Sequence, residues 1–196
     1  MPLITFGEIL DLILMTLFVG YVFSGIIPIR RERYDPLEHY KRRFDFSELK
    51  FAIMATAPGI ILHELAHKFV AIGFGLNAVF FAFYRNSFTL ILGILTVISK
   101  LTGFGFMFFV PGFVGISGQG TNLEFALTAF AGPFVNLALW LGSWYVLKYT
   151  KYKKKHYLLL ILTQRINMFL FIFNMLPLPG FDGYKVFTGL IRTFIG

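Results

Sequence analysis

Residues 51–74 read FAIMATAPGIILHELAHKFVAIGF. About 20 mostly apolar residues suffice to cross a bilayer, and this stretch has that length and character. Near its middle stand His63, Glu64 and His67, in the pattern HExxH. Residues four apart lie on one face of a helix, so both imidazoles can reach a single metal ion, with Glu64 beside them. Two histidines and a glutamate are ordinary solvated residues in a soluble helix. Here they are flanked by Ala52-Ile53-Met54 and Phe69-Val70-Ala71-Ile72, and ionisable groups inside a span are costly and usually functional. The stretch predicts a membrane-spanning helix that carries a metal site.

The rest of the chain suits the same solvent. Of 196 residues, 57% are hydrophobic, 26 are Phe and only 14% are charged, with a mean hydropathy of +0.71. A soluble domain carries about a quarter charged residues. Further spans are expected at 9–29, 125–147 and 157–176. The first has Asp11 as its one charged residue and neither a basic leader nor a small-residue cleavage site, so it reads as a retained anchor. Thr121-Asn122-Leu123-Glu124 reads as a capping box opening the third span. Pro177 and Pro179 stop the fourth, and Gly73 and Gly75 the second.

Residues 77–120 break the pattern. Residues 79–84 are aromatic and β-prone, 88–98 are apolar but short, and 104–116 are rich in Phe and Gly around Pro111-Gly112. Irregular backbone at membrane depth persists only when buried in protein or lining a wet cavity. The fold class is therefore an all-α polytopic membrane protein. It has about four transmembrane helices, with a re-entrant or β-like membrane segment between the second and third. Residues 1–196 form a single membrane-embedded domain of a multi-pass cell-membrane protein.

The formal charge is +8, with seven of the 18 basic residues in 30–50 and five in 148–155. Compact basic blocks between apolar segments belong to loops at the membrane surface, so the bilayer is the expected partner and nucleic acid is not. Inside the spans, Lys68 is expected to snorkel. Arg165 is expected to pair with an acid such as Asp11 or to snorkel as well.

The chain has no Cys, so a metal must be held by His, Asp or Glu. HExxH on a helix is a zinc pattern in which the Glu serves as general base, and catalytic zinc usually takes three protein ligands and a water. His39 lies in a charged loop, and His156 follows three lysines whose charge opposes a nearby cation. Downstream of His67 the only carboxylates are Glu124 and Asp182. Glu124 already serves as the capping-box acid. Asp182 stands at the end of an apolar span, where an acid needs a partner, although Asp-Gly is also an ordinary turn. Asp182 is the favoured third ligand and Glu124 the alternative. Asn136 could bond a neighbouring helix or serve the site.

Three motifs in order resemble the site-2 protease family of intramembrane metalloproteases. HExxH is followed by Gly132-Pro133-Phe134-Val135-Asn136, similar to that family's Gly-Pro-x-x-Asn helix start. It is followed in turn by Asn174, Pro177, Pro179, Asp182 and Gly183, similar to its N-x-x-P-x-P-x-x-D-G motif. The likeness covers about residues 51–187. It implies that His63, His67 and Asp182 bind Zn²⁺ and that Glu64 is the catalytic base. It also puts Asn136 and Asn174 among substrate-binding or site-supporting residues. Residues 106–117 look like the family's membrane-dipping strand region, which pairs with an unwound substrate. Residues 88–103 look like an insertion, and no PDZ or CBS domain is present.

The expected function is therefore zinc-dependent endoproteolysis of a membrane-embedded segment in a membrane-spanning protein substrate. Two other classes compete. One is a different membrane zincin using Glu124 as third ligand; the other is a non-catalytic zinc-binding or transport protein, which has no need of Glu64.

Overall fold

Capping side chains set where the helices begin. The structure is a computed structural model, and it describes residues 3–25, 45–103 and 112–195. Thr5 and Glu8 close a capping box that opens α1, Phe6–Phe23. Asp45 accepts from the Ser47 amide and opens α2, Phe46–Gly73. Thr121 and Glu124 form the capping box expected from the sequence and open α4, Asn122–Tyr149. Tyr157–Asn174 forms α5. These four helices are long and apolar enough to cross a membrane, and the chain is a membrane protein.

The bounds of the first two spans differ most from the sequence reading. The first span begins at Phe6 rather than at residue 9, because the Thr5 box starts the helix there, and it ends at Phe23. The second begins five residues early: Asp45 satisfies an orphan amide and carries polar Ser47, Glu48 and Lys50 into the helix. Residues 26–44, with the charged loop and His39, lie outside the described residues, as do 104–111.

Between α2 and α4, β1 (Asn77–Ala82) pairs antiparallel with β2 (Gly112–Ser117), from Asn77 opposite Ser117 to Ala82 opposite Gly112. The β-like segment is thus a two-stranded sheet. Phe80 of β1 is buried with Met15, Val19 and Ile60, which seats the sheet against α1 and α2. The 88–98 stretch belongs to α3, Ser87–Thr102. Lys100 of α3 caps the C-terminal carbonyls of α1, donating to Ser24 O at 2.7 Å and to Tyr21 O. After α5, the chain turns through Pro177–Phe181 into α6, Asp182–Phe194, a helix the sequence reading did not foresee.

Two buried acids of α1 find partners that the sequence reading did not name. Lys68 does not snorkel: its side chain is 3% exposed and donates to Glu8, equally buried. Glu8 Oε1 also accepts from the Phe80 amide at 2.8 Å, so one carboxylate ties α1, α2 and β1 together. Asp11 pairs with the Tyr84 hydroxyl and with Arg85 Nε at 3.2 Å, not with Arg165, which is exposed. The Asp11 bond pushes the Tyr84 hydroxyl above its ordinary pKa.

Breaking one partner of a buried ion pair costs about 3–5 kcal/mol. Lys68→Met is therefore expected to lower thermal stability in detergent by that order. Glu8→Gln/Lys68→Met should recover most of the loss, since Gln still accepts from the Phe80 amide. Melting curves of the single and double variants check this; equal losses in both would show that the charge pair is not the cause.

Candidate metal centre

The HExxH residues lie ten to six positions before the end of α2, where one helix face turns toward α4. His63, Glu64 and His67 are all buried. Asp182 arrives from the far end of the chain, as the first residue of α6. The Pro177–Phe181 turn brings it in, and Gly183 makes the turn possible. A Cβ on Gly183 would stand 2.4 Å from the Met175 carbonyl carbon, so any larger residue would hold α6 off the end of α5.

Three ligand atoms converge. His63 Nε2 and His67 Nε2 are 3.1 Å apart, and Asp182 Oδ2 is 3.1 Å from the first and 3.2 Å from the second. Among the described residues these three form the one group of His, Asp or Glu side chains placed to hold a metal ion.

The arrangement fits zinc on two counts. Ligand atoms about 2.0–2.1 Å from a tetrahedral zinc stand roughly 3.3 Å from one another, close to the observed triangle. Gly132 of α4 also lies against both rings. A Cβ there would be 2.3 Å from His67 Nε2 and 2.6 Å from His63 Nε2, so the missing side chain leaves room beside the ligand atoms.

The histidines are held from behind. His67 Nδ1 is 2.7 Å from the Thr128 carbonyl. A carbonyl only accepts, so Nδ1 carries the proton and Nε2 offers its lone pair to the site. His63 Nδ1 is 2.6 Å from Asn136 Oδ1, and Asn136 is fully buried. Such supporting bonds orient metal-binding imidazoles. Glu64 receives no hydrogen bond from the described residues, and its electrostatic neighbours are His63, His67, Asp182 and Lys185.

The structure thus brings together His63, Glu64, His67, Asp182 and Asn136. Asn174 ends α5, partly buried, and its side chain makes no hydrogen bond among the described residues. Glu124 remains in its capping box, 2.7 Å from the Thr121 amide, and does not join the ligand group. His156 is exposed beside α5. The Gly132–Asn136 motif does not start a helix: it lies inside α4, which runs through Pro133 without a break. Thr128 is buried too, and its hydroxyl is the one buried side-chain atom without a partner among the described residues. The sequence reading missed both Thr128 and Asn167, whose amide meets Asn136 at 2.9 Å. Only the polarity of Asn167 within an apolar span marked it.

The chain is 37% identical over 182 residues to a protein of Methanocaldococcus jannaschii provisionally named zinc metalloprotease MJ0611, an alignment covering 91% of this chain and 82% of the relative. It is 27% identical over 166 residues to YwhC of Bacillus subtilis, which bears the same provisional name, covering 76% and 72% of the two chains. No family model and no solved structure matches. Zinc is the cofactor that the ligand group and these relatives share in pointing to. With its HExxH helix, an aspartate brought to both histidines and this likeness over most of its length, the chain belongs to the zinc metalloprotease family of the Methanocaldococcus protein.

Proposed function

We propose that this protein is a site-2-type intramembrane endopeptidase, a single membrane-embedded domain crossing the cell membrane several times. It hydrolyses a peptide bond in a membrane-embedded segment of a substrate protein. The depth of the site along α2 carries this reading. At about 1.5 Å per residue, His63 stands roughly 15 Å from the Gly73 end of the helix and roughly 26 Å from the Phe46 end. A helix of this kind in a bilayer puts the ligand atoms well below the surface. A scissile bond that reaches them must itself lie at membrane depth.

His63, His67 and Asp182 hold zinc in this reading, and Glu64 is the base. Zinc, when bound, polarises the scissile carbonyl and makes water easier to deprotonate. Glu64 takes the proton as water adds to the carbonyl carbon, and returns it to the amide nitrogen as the C–N bond breaks. No described residue competes for the Glu64 carboxylate by hydrogen bonding. An unwound substrate segment would find backbone partners along β2, whose one ladder partner among the described residues is β1, by strand addition.

Asp182→Asn against Glu124→Gln tests the ligand set. Asn keeps an oxygen but loses the charge, so zinc affinity should fall by more than the roughly 10–100-fold typical of losing a supporting bond, and cleavage should fall with it. Glu124→Gln should keep both. Zinc content and cleavage of a membrane-segment substrate in detergent measure this. Metal loss in Glu124→Gln alone would transfer the assignment to the zincin that uses Glu124.

A further inference from the structure

We infer that Asn167 is a positioning residue for the metal centre, fixing through Asn136 which nitrogen of His63 carries the proton. This rests on the zinc reading above. Asn167 is the one fully buried residue of α5, and it is polar. A fully buried polar side chain in an apolar span calls for a specific partner.

Two backbone carbonyls make the chain of bonds directional. Asn167 Nδ2 lies 2.8 Å from Thr163 O. A carbonyl only accepts, so the amide nitrogen must face it and Oδ1 must face α4. There Asn136 Nδ2 donates to Asn167 Oδ1 at 2.9 Å and to Gly59 O at 3.2 Å. Both amide hydrogens of Asn136 are then in use. Asn136 has only Oδ1 left for His63, 2.6 Å from Nδ1. An acceptor at that position requires the hydrogen on Nδ1. The Nε2 lone pair is thereby turned toward His67 and Asp182. The backbone of α2 makes room for this: a Cβ on Gly59 would stand 2.6 Å from Asn167 Oδ1. His67 needs no such relay, because the Thr128 carbonyl sets its tautomer directly.

A purely structural Asn167 would join α5 to α4 and leave His63 unaffected. Zinc affinity by chelator competition, on the full chain in detergent, separates the two. Asn167→Leu fills a similar volume and should weaken zinc binding about tenfold, the lower part of the range for outer partners of a metal ligand. Asn136→Ala should weaken it by up to about a hundredfold. The double variant should bind no more weakly than Asn136→Ala alone, because Asn167 acts only through Asn136. In ¹⁵N-histidine-labelled, zinc-loaded protein, the His63 Nδ1 proton should exchange with solvent faster in Asn167→Leu than in wild type. Unchanged affinity with an unchanged Nδ1 proton, or additive losses in the double variant, would overturn the inference. If Asn167→Leu does not fold, Gly59→Ala takes its place, since one methyl against Asn167 Oδ1 should produce the same loss, and no loss would overturn the inference. Wild-type protein that takes up no zinc would instead overturn the metal reading beneath it.

Discussion

Glu64→Gln is expected to retain one zinc per chain and to lose about 10²–10⁴-fold in turnover, the range that a positioned general base contributes. The change is nearly isosteric, and it removes no metal ligand, because His63, His67 and Asp182 supply the converging atoms without Glu64. The amide cannot take a proton from water. Among the described residues nothing nearby replaces it: the remaining groups facing the site are the ligands themselves and Lys185, a cation. Turnover and zinc content measured on one preparation check both halves. A variant that cleaves at the wild-type rate would remove Glu64 from the chemistry. Wild-type protein that binds zinc yet hydrolyses no membrane segment would favour a binding or transport role.

Gly132→Ala carries the second large expectation, and its sign runs against helix propensity. Replacing a mid-helix Gly by Ala ordinarily stabilises by about 1 kcal/mol, and Gly132 lies well inside α4. Here the new methyl would meet ring nitrogens at 2.3 and 2.6 Å. Those rings cannot swing away freely, since His63 is tied to Asn136 and His67 to the Thr128 carbonyl. Overpacking of this kind costs about 1–3 kcal/mol, which at the metal site means roughly ten- to a hundredfold weaker zinc binding. The clash with the rings is present without metal too, so the metal-free variant should gain none of the stability that Ala ordinarily brings to a helix. Zinc titration together with metal-free melting curves tests this, and undiminished affinity would show that the close approach at Gly132 does not serve the site.

Much of the site was legible because it follows chain-local rules. HExxH announces itself by its spacing within one helix, and Asp182 was reachable by elimination because an apolar chain carries so few acids. The Thr121–Glu124 box follows a four-residue rule and lies where that rule puts it. What escaped depends on partners distant in sequence. Lys68 beside HExxH gives no local sign that its mate is Glu8, 60 residues earlier. Asn167 resembles any polar residue of a span until Asn136 is set against it. The early start of α2 was hidden because polarity argued for loop while a single cap, Asp45, favoured helix. The last helix, α6, was hidden behind two prolines, and Gly183 matters only through its approach to Met175.

The two halves of the metal centre stand 115 and 119 residues apart along the chain. During synthesis, the HExxH helix enters the membrane long before Asp182 leaves the ribosome. Throughout that interval the nascent chain holds two histidines but not the carboxylate that completes the set. On the function proposed above, the enzyme lacks its full ligand set while its own helices are inserting. The three ligand atoms come together only once the chain beyond α5 has folded back.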